Sequence, residues 1–191
     1  RLPLRAQSGD FQREPISYGS APAENAVETL IERTKADASL LRAHETRGYL
    51  PDLLEALEVP RSSQLLVFSK TSFQRDRISP RRPRAVYFND DVYVGYCQGG
   101  EVLELSAYDV GLGTVFYTLD QRETERPEFT REGDDCLSCH VSGATGDIPG
   151  NLVRSVFTDR RGMPILSAGT FRTDPTSPFE ERWGGWYVTG T

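Results

Sequence analysis

The chain has 191 residues, 37% of them hydrophobic and 26% charged, with a formal net charge of −6. That length suits one domain that buries a core without disulfide staples, and the mixture is globular rather than disordered. The acidic balance argues against electrostatic binding to nucleic acid, and no apolar run in the sequence reaches the length of a membrane span.

Residues 1–20 carry Pro3, Gly9, Pro15 and Gly19 without an apolar period. They read as an extended arm lying on a single domain that occupies 21–191. The first part of that domain, 21–59, reads as helical. In AENAVETLIERTKAD, Val27, Leu30 and Ile31 recur at helical spacing. Leu40, Leu41 and His44 share one face of a second short helix that Gly48 would end. PDLLEALEV at 51–59 opens with proline at a first helical position, stops before Pro60, and buries Leu53, Leu54 and Leu57.

From residue 64 the texture becomes β-rich. QLLVFSK is branched and aromatic. RAVYF and VYVGYC flank Asn89-Asp90-Asp91, so 84–97 reads as a hairpin. EVLELSA follows the Gly99-Gly100 turn with Leu103 and Leu105 on one face, and GTVFYTLD adds another strand. LVRSVFTD and MPILSAGTF bracket Arg160-Arg161-Gly162 as a second hairpin, and GWYVTGT reads as a last strand. The expected class is α+β, with N-terminal helices followed by an antiparallel sheet. Between strands, roughly 121–151 is polar and longer than an ordinary connection, which calls for something to organise it.

Inside that loop stands Cys136-Leu137-Ser138-Cys139-His140. The whole sequence holds three cysteines and two histidines, so their crowding here is not compositional. Cys-x-x-Cys-His is the attachment signature of c-type haem. Each thiol adds across one porphyrin vinyl group: a C–S bond forms and the thiol hydrogen passes to the neighbouring carbon. The two-residue spacer lets the sulfurs reach adjacent pyrrole rings, and the histidine that follows meets the iron. Cys136 and Cys139 are the expected attachment points and His140 the proximal ligand.

Rival chemistries fit less of the pattern. A zinc site would need Cys97, Cys136, Cys139 and a histidine, but the usual second pair of ligands is missing. A thioredoxin-type pair wants a preceding strand and a helix opening at the first cysteine, and TREGDD promises no strand. A plain Cys136–Cys139 disulfide leaves His140 unexplained. Cys97, among hydrophobic neighbours in a strand, reads as an inert buried thiol.

The second axial position decides between electron carrier and haem enzyme. Met163, the only methionine, is the leading expectation; His44, Lys70, a ligand beyond Thr191, or no protein ligand are the alternatives. QRDRISPRRPR at 74–84 holds five arginines that suit haem propionates or an acidic redox partner, or form a solvated loop. Phe179, Trp183, Trp186 and Tyr187 crowd the C-terminal part as haem-wall or core aromatics.

The pentapeptide makes the chain resemble c-type cytochromes. Its late position, after strands, is similar to the β-rich haem proteins typified by the β-form of cytochrome c′. The stretch LVFSKTSFQRDRISPRRPRAVYFNDDVYVGYCQGG also resembles cytochrome c-type proteins of environmental bacteria. These resemblances imply one covalent haem c and a periplasmic or secreted mature chain whose signal peptide has been removed. They also imply single-electron transfer with redox partner proteins, a membrane-bound electron-transfer complex among them. The alternative is a five-coordinate haem protein that binds gas or acts on peroxide or nitrogen oxides.

Overall fold

The computed structural model describes residues 10–188. Residues 1–9 of the expected arm and the last three residues of GWYVTGT lie outside the described residues. The fold is a mixed α+β domain built on a seven-stranded antiparallel sheet. Its strands are β1 (Leu65–Val67), β2 (Arg84–Phe88), β3 (Val92–Tyr96), β4 (Val102–Asp109), β5 (Gly113–Asp120), β6 (Phe129–Arg131) and β9 (Trp186–Tyr187). They run in the order β6-β5-β4-β3-β2-β1-β9. A two-stranded ribbon of β7 (Arg154–Val156) and β8 (Thr170–Arg172) lies apart.

Local chemistry explains the hairpins. The side-chain oxygen of Asn89 accepts from the backbone N–H of Asp91 and Val92, at 3.0 and 2.8 Å, and closes the β2–β3 turn. Asp109 does the same for Gly111 and Leu112 between β4 and β5. Alternation along the strands then gives the sheet two unlike faces. On one, Ala85, Tyr87, Val92, Val94, Leu103, Leu105, Ala107, Val115, Tyr117 and Leu119 are all buried. On the other lie Arg84, Gly95, Glu104, Ser106, Phe116 and Thr118, a far more polar set.

The apolar face is covered by α1 (Ala26–Ala36) and α2 (Leu50–Ala56). Asn25 caps α1, accepting from Val27 and Glu28, and its amide donates to the Tyr117 hydroxyl at 3.0 Å. Val27, Leu30, Leu50, Leu53 and Leu54 are buried against the sheet. The expected second helix around 38–48 is instead a single 3-10 turn, Ala38–Leu40, followed by a tight His44–Gly48 bridge. Gly48 sits at a φ of +53°, a backbone state that breaks a helix and suits glycine.

The segment 10–20 is tied into this core. Phe11 and Tyr18 are buried. The Tyr18 hydroxyl accepts from Phe116 N–H at 3.0 Å and donates to the Glu132 carbonyl at 3.1 Å, so it joins β5 to the segment just after β6. Arg131 donates to the Ala21 carbonyl at 2.9 Å and to that of Tyr18 while lying over the Tyr18 ring.

Tyr18→Phe keeps the ring and removes both hydroxyl bonds, leaving a buried N–H unmatched. The expected cost is about 1–3 kcal/mol in denaturant unfolding with an unchanged m-value.

Candidate functional site

The stretch between β5 and β7 departs from the long-loop expectation. It contains β6, then a two-turn helix α3 (Asp134–His140), then a 3-10 turn at Gly143–Thr145. Gly133 precedes the helix, and Asp134 and Asp135 occupy its first turn, where the exposed N–H groups favour negative charge. The cysteine–histidine motif therefore stands on a helix rather than in a loop, and a strand does precede it.

Helical spacing gathers the motif. Cys136 and Cys139 are three apart and Cys136 and His140 four apart, so Cys136 neighbours both, while the consecutive Cys139 and His140 diverge. Leu137 is 2% exposed and anchors the helix in the core. Cys136 is half-buried and Cys139 exposed, and both are free thiols. Burial, and after it the carboxylates of Glu132, Glu104 and Asp135, pushes the Cys136 thiol up to about 12. A thioredoxin-type nucleophile needs the opposite shift, so the strand-then-helix setting does not rescue that reading.

His140 is held on three sides. Its ring packs on Phe116 of β5 with centroids 4.5 Å apart and planes at 42°. Its backbone carbonyl accepts from Gly150 N–H at 3.0 Å. Its Nδ1 lies 3.0 Å from the Gly150 carbonyl oxygen. A carbonyl only accepts, so Nδ1 carries the proton and Nε2 keeps its lone pair. The turn beyond α3 closes the clamp: Thr145 Oγ1 contacts the His140 carbonyl at 3.4 Å and the Ser142 carbonyl at 2.9 Å.

The charged neighbours come from the polar face. Arg84 of β2 reaches across Gly95 of β3 to Glu104 of β4, with nitrogen and oxygen 2.6 Å apart. A Cβ on Gly95 would fall 2.2 Å from that guanidinium, so glycine is what permits the crossing. Burial lowers the basicity of His140; the Gly150 hydrogen bond opposes it, and Arg84 and Glu104 act in opposite directions.

None of the three internal candidates for the second ligand is brought to His140. Met163 is 46% exposed in a turn whose Gly162 lies against the Phe68 carbonyl, just past β1. In the sheet order β1 lies four places from β5. Lys70 shares that end of the sheet, donating its N–H to the Gly162 carbonyl at 2.8 Å. His44 lies on the helix side, with Nε2 2.5 Å from Asp52 Oδ1.

Of the arginines in 74–84, Arg84 turns toward the motif, while Arg77 pairs with Glu101 at 3.1 Å on the surface. Trp183, Trp186 and Tyr187 gather at the β1–β9 edge, where Tyr187 packs on Phe68 at 4.8 Å and Trp186 donates to the Arg154 carbonyl at 2.8 Å, while Phe179 is exposed beneath Arg182. Cys97 is buried, with its thiol pushed up to about 12 by desolvation. Among the described residues no three of His, Cys, Asp and Glu form a group able to hold a metal ion, so the four-ligand zinc set is not assembled. No described helix is long and apolar enough to cross a membrane.

Because His140 is less basic folded than its ordinary value of 6.5, the unfolded apoprotein binds the extra proton first as pH falls. Stability is therefore fully present above about pH 6.5 and declines as pH drops through the folded value. Denaturant titrations of the apoprotein between pH 7.5 and 5 should show this loss, and His140→Gln should flatten it.

No family model, curated protein or solved structure matches this chain.

Proposed function

We propose that the chain is a c-type haem protein, with haem joined to Cys136 and Cys139 and its iron held by His140. The observation that carries this reading is the state of the imidazole. The Gly150 carbonyl accepts a hydrogen bond from Nδ1–H, and Nε2 keeps a lone pair to give. Second-sphere contacts of this kind fix both tautomer and ring direction in metal-ligating histidines. Burial works toward the same end by disfavouring the imidazolium, which has no lone pair to give.

The rest of the motif is chemically suited to the group. Two unpaired thiols stand one helical turn apart on α3, which also bears His140. When bound, haem supplies reversible one-electron chemistry at iron. The chain's own tasks are then to fix His140 against Phe116, to present both sulfurs, and to set the local charge through Arg84 and Glu104. The function is single-electron transfer to and from redox partner proteins, in the periplasm or outside the cell, where covalent attachment takes place. A membrane-bound electron-transfer complex is one such partner.

A second reading has an observation of its own. Met163, Lys70 and His44 all lie away from His140, the first two across the sheet and the third on its other face. That placement favours an iron with one protein ligand from the described residues, open to a small molecule on its second side.

Absorption spectra test both. The purified reduced holoprotein should show the narrow α-band of a c-type site. Cys136→Ala and Cys139→Ala singly should each leave one thioether and a shifted band, and the double variant should hold no haem after acid-acetone extraction. Retention of colour by the extracted double variant would contradict the attachment reading. Carbon monoxide should perturb the ferrous spectrum if the second side is open and leave it unchanged in a six-coordinate electron carrier.

A further inference from the structure

One cation of the β7–β8 ribbon has no counter-charge among the described residues. Arg154 of β7 and Arg172 of β8 are directly opposed in the antiparallel ribbon, so their side chains leave the same face. Like charges so placed repel. Arg172 is compensated by Asp174, with Nε to Oδ2 at 2.8 Å. Arg154 makes no ion pair among the described residues, and its Nε is buried without an acceptor. Buried guanidinium nitrogens elsewhere have a partial explanation. Arg131 spends its other nitrogens on the Tyr18 and Ala21 carbonyls, and Arg84 is paired with Glu104.

The ribbon face that carries these arginines reaches the turn that follows the motif. Arg172 Nη1 lies 3.5 Å from the Ala144 carbonyl, in the turn that closes on His140 through Thr145. Arg154 also follows Gly150 by four residues, which limits the separation of their Cα atoms to roughly 14 Å. A single negative group entering beside this turn would meet an uncompensated, partly desolvated guanidinium, and a carboxylate matches its two-pronged geometry.

We infer that Arg154 is the anchor for a carboxylate of the haem attached at Cys136 and Cys139. This rests on the function proposed above. The anchor leaves the thioethers untouched and fixes the orientation and charge of the group they hold. Arg154 is thus a cofactor-positioning residue that the motif itself does not announce.

The test uses holoprotein in wild-type, Arg154→Lys and Arg154→Gln forms, with intact mass recorded first. All three should carry one haem. At a fixed ambient potential, Arg154→Gln should lower the ratio of reduced to oxidised protein about threefold, because loss of a nearby positive charge favours the ferric state; Arg154→Lys should lower it less. In ¹H–¹⁵N spectra the Arg154 Nε–H, which has no acceptor among the described residues, should move downfield in ferrous holoprotein relative to the Cys136→Ala/Cys139→Ala apoprotein. That comparison decides the matter if Arg154→Gln does not fold. An attached haem with an unchanged ratio, or the same Nε–H shift in both forms, overturns the anchor alone. The same downfield shift in apoprotein on adding acetate would assign the site to free carboxylates and overturn it too. A wild-type mass equal to the bare polypeptide overturns the attachment reading with it.

Discussion

The reciprocal pair of hydrogen bonds between His140 and Gly150 is the constraint on which the site depends. One bond runs from Gly150 N–H to the His140 carbonyl, the other from His140 Nδ1 to the Gly150 carbonyl, each at 3.0 Å. Together they close a ten-residue excursion and set the tautomer of the ring. Gly150 suits the position because a Cβ there would already crowd Thr145 at 3.2 Å, and Thr145 is itself engaged in the turn. Phe116 supplies the flat support that keeps the ring from rotating away. A histidine without these contacts would be a solvent-facing base; with them it is a directed, neutral donor.

The sheet separates two tasks. Its apolar face, under α1 and α2, holds most of the buried hydrocarbon and so most of the folding free energy. Its polar face carries charges that would be costly in a core and are tolerable because they are paired. Arg84 and Glu104 neutralise one another across Gly95, Gln74 donates to Glu104 at 3.1 Å, and Thr118 donates to Glu132 at 2.6 Å. Segment 132–151 lies over this second face, pinned by Ser106 to Asn151 at 2.9 Å and by Thr114 N–H to the Pro149 carbonyl at 2.8 Å. Tyr18 couples the N-terminal segment to the same region, so stability built at one end reaches Glu132, two residues before α3.

How much of this could be read beforehand varied with how local its cause was. The β2–β3 hairpin was legible because Asn89 closes its turn within a few residues. The first helix was legible because its apolar period and its Asn25 cap are both local. The pentapeptide was legible because two thiols and an imidazole at that spacing have few chemical uses. The helix at the motif was not: DDCLSCH has a weak propensity and an apolar stripe of one residue, and it is stabilised by Leu137 entering the core. Phe116, Gly150 and Arg154 gave no sequence signal, since their roles come from strand pairing and a loop closure. Gly95 inside a strand was a readable hint of a close approach, without saying by what.

The most direct measurement is the mass of one tryptic peptide. Cleavage after Arg131 and Arg154 releases residues 132–154, which hold both motif cysteines and His140. Isolated from protein made in a cell that matures c-type cytochromes, that peptide is expected to carry one haem, with neither cysteine open to alkylation. A peptide of bare mass whose cysteines both alkylate, or which gains them only after reduction of a disulfide, would contradict the account.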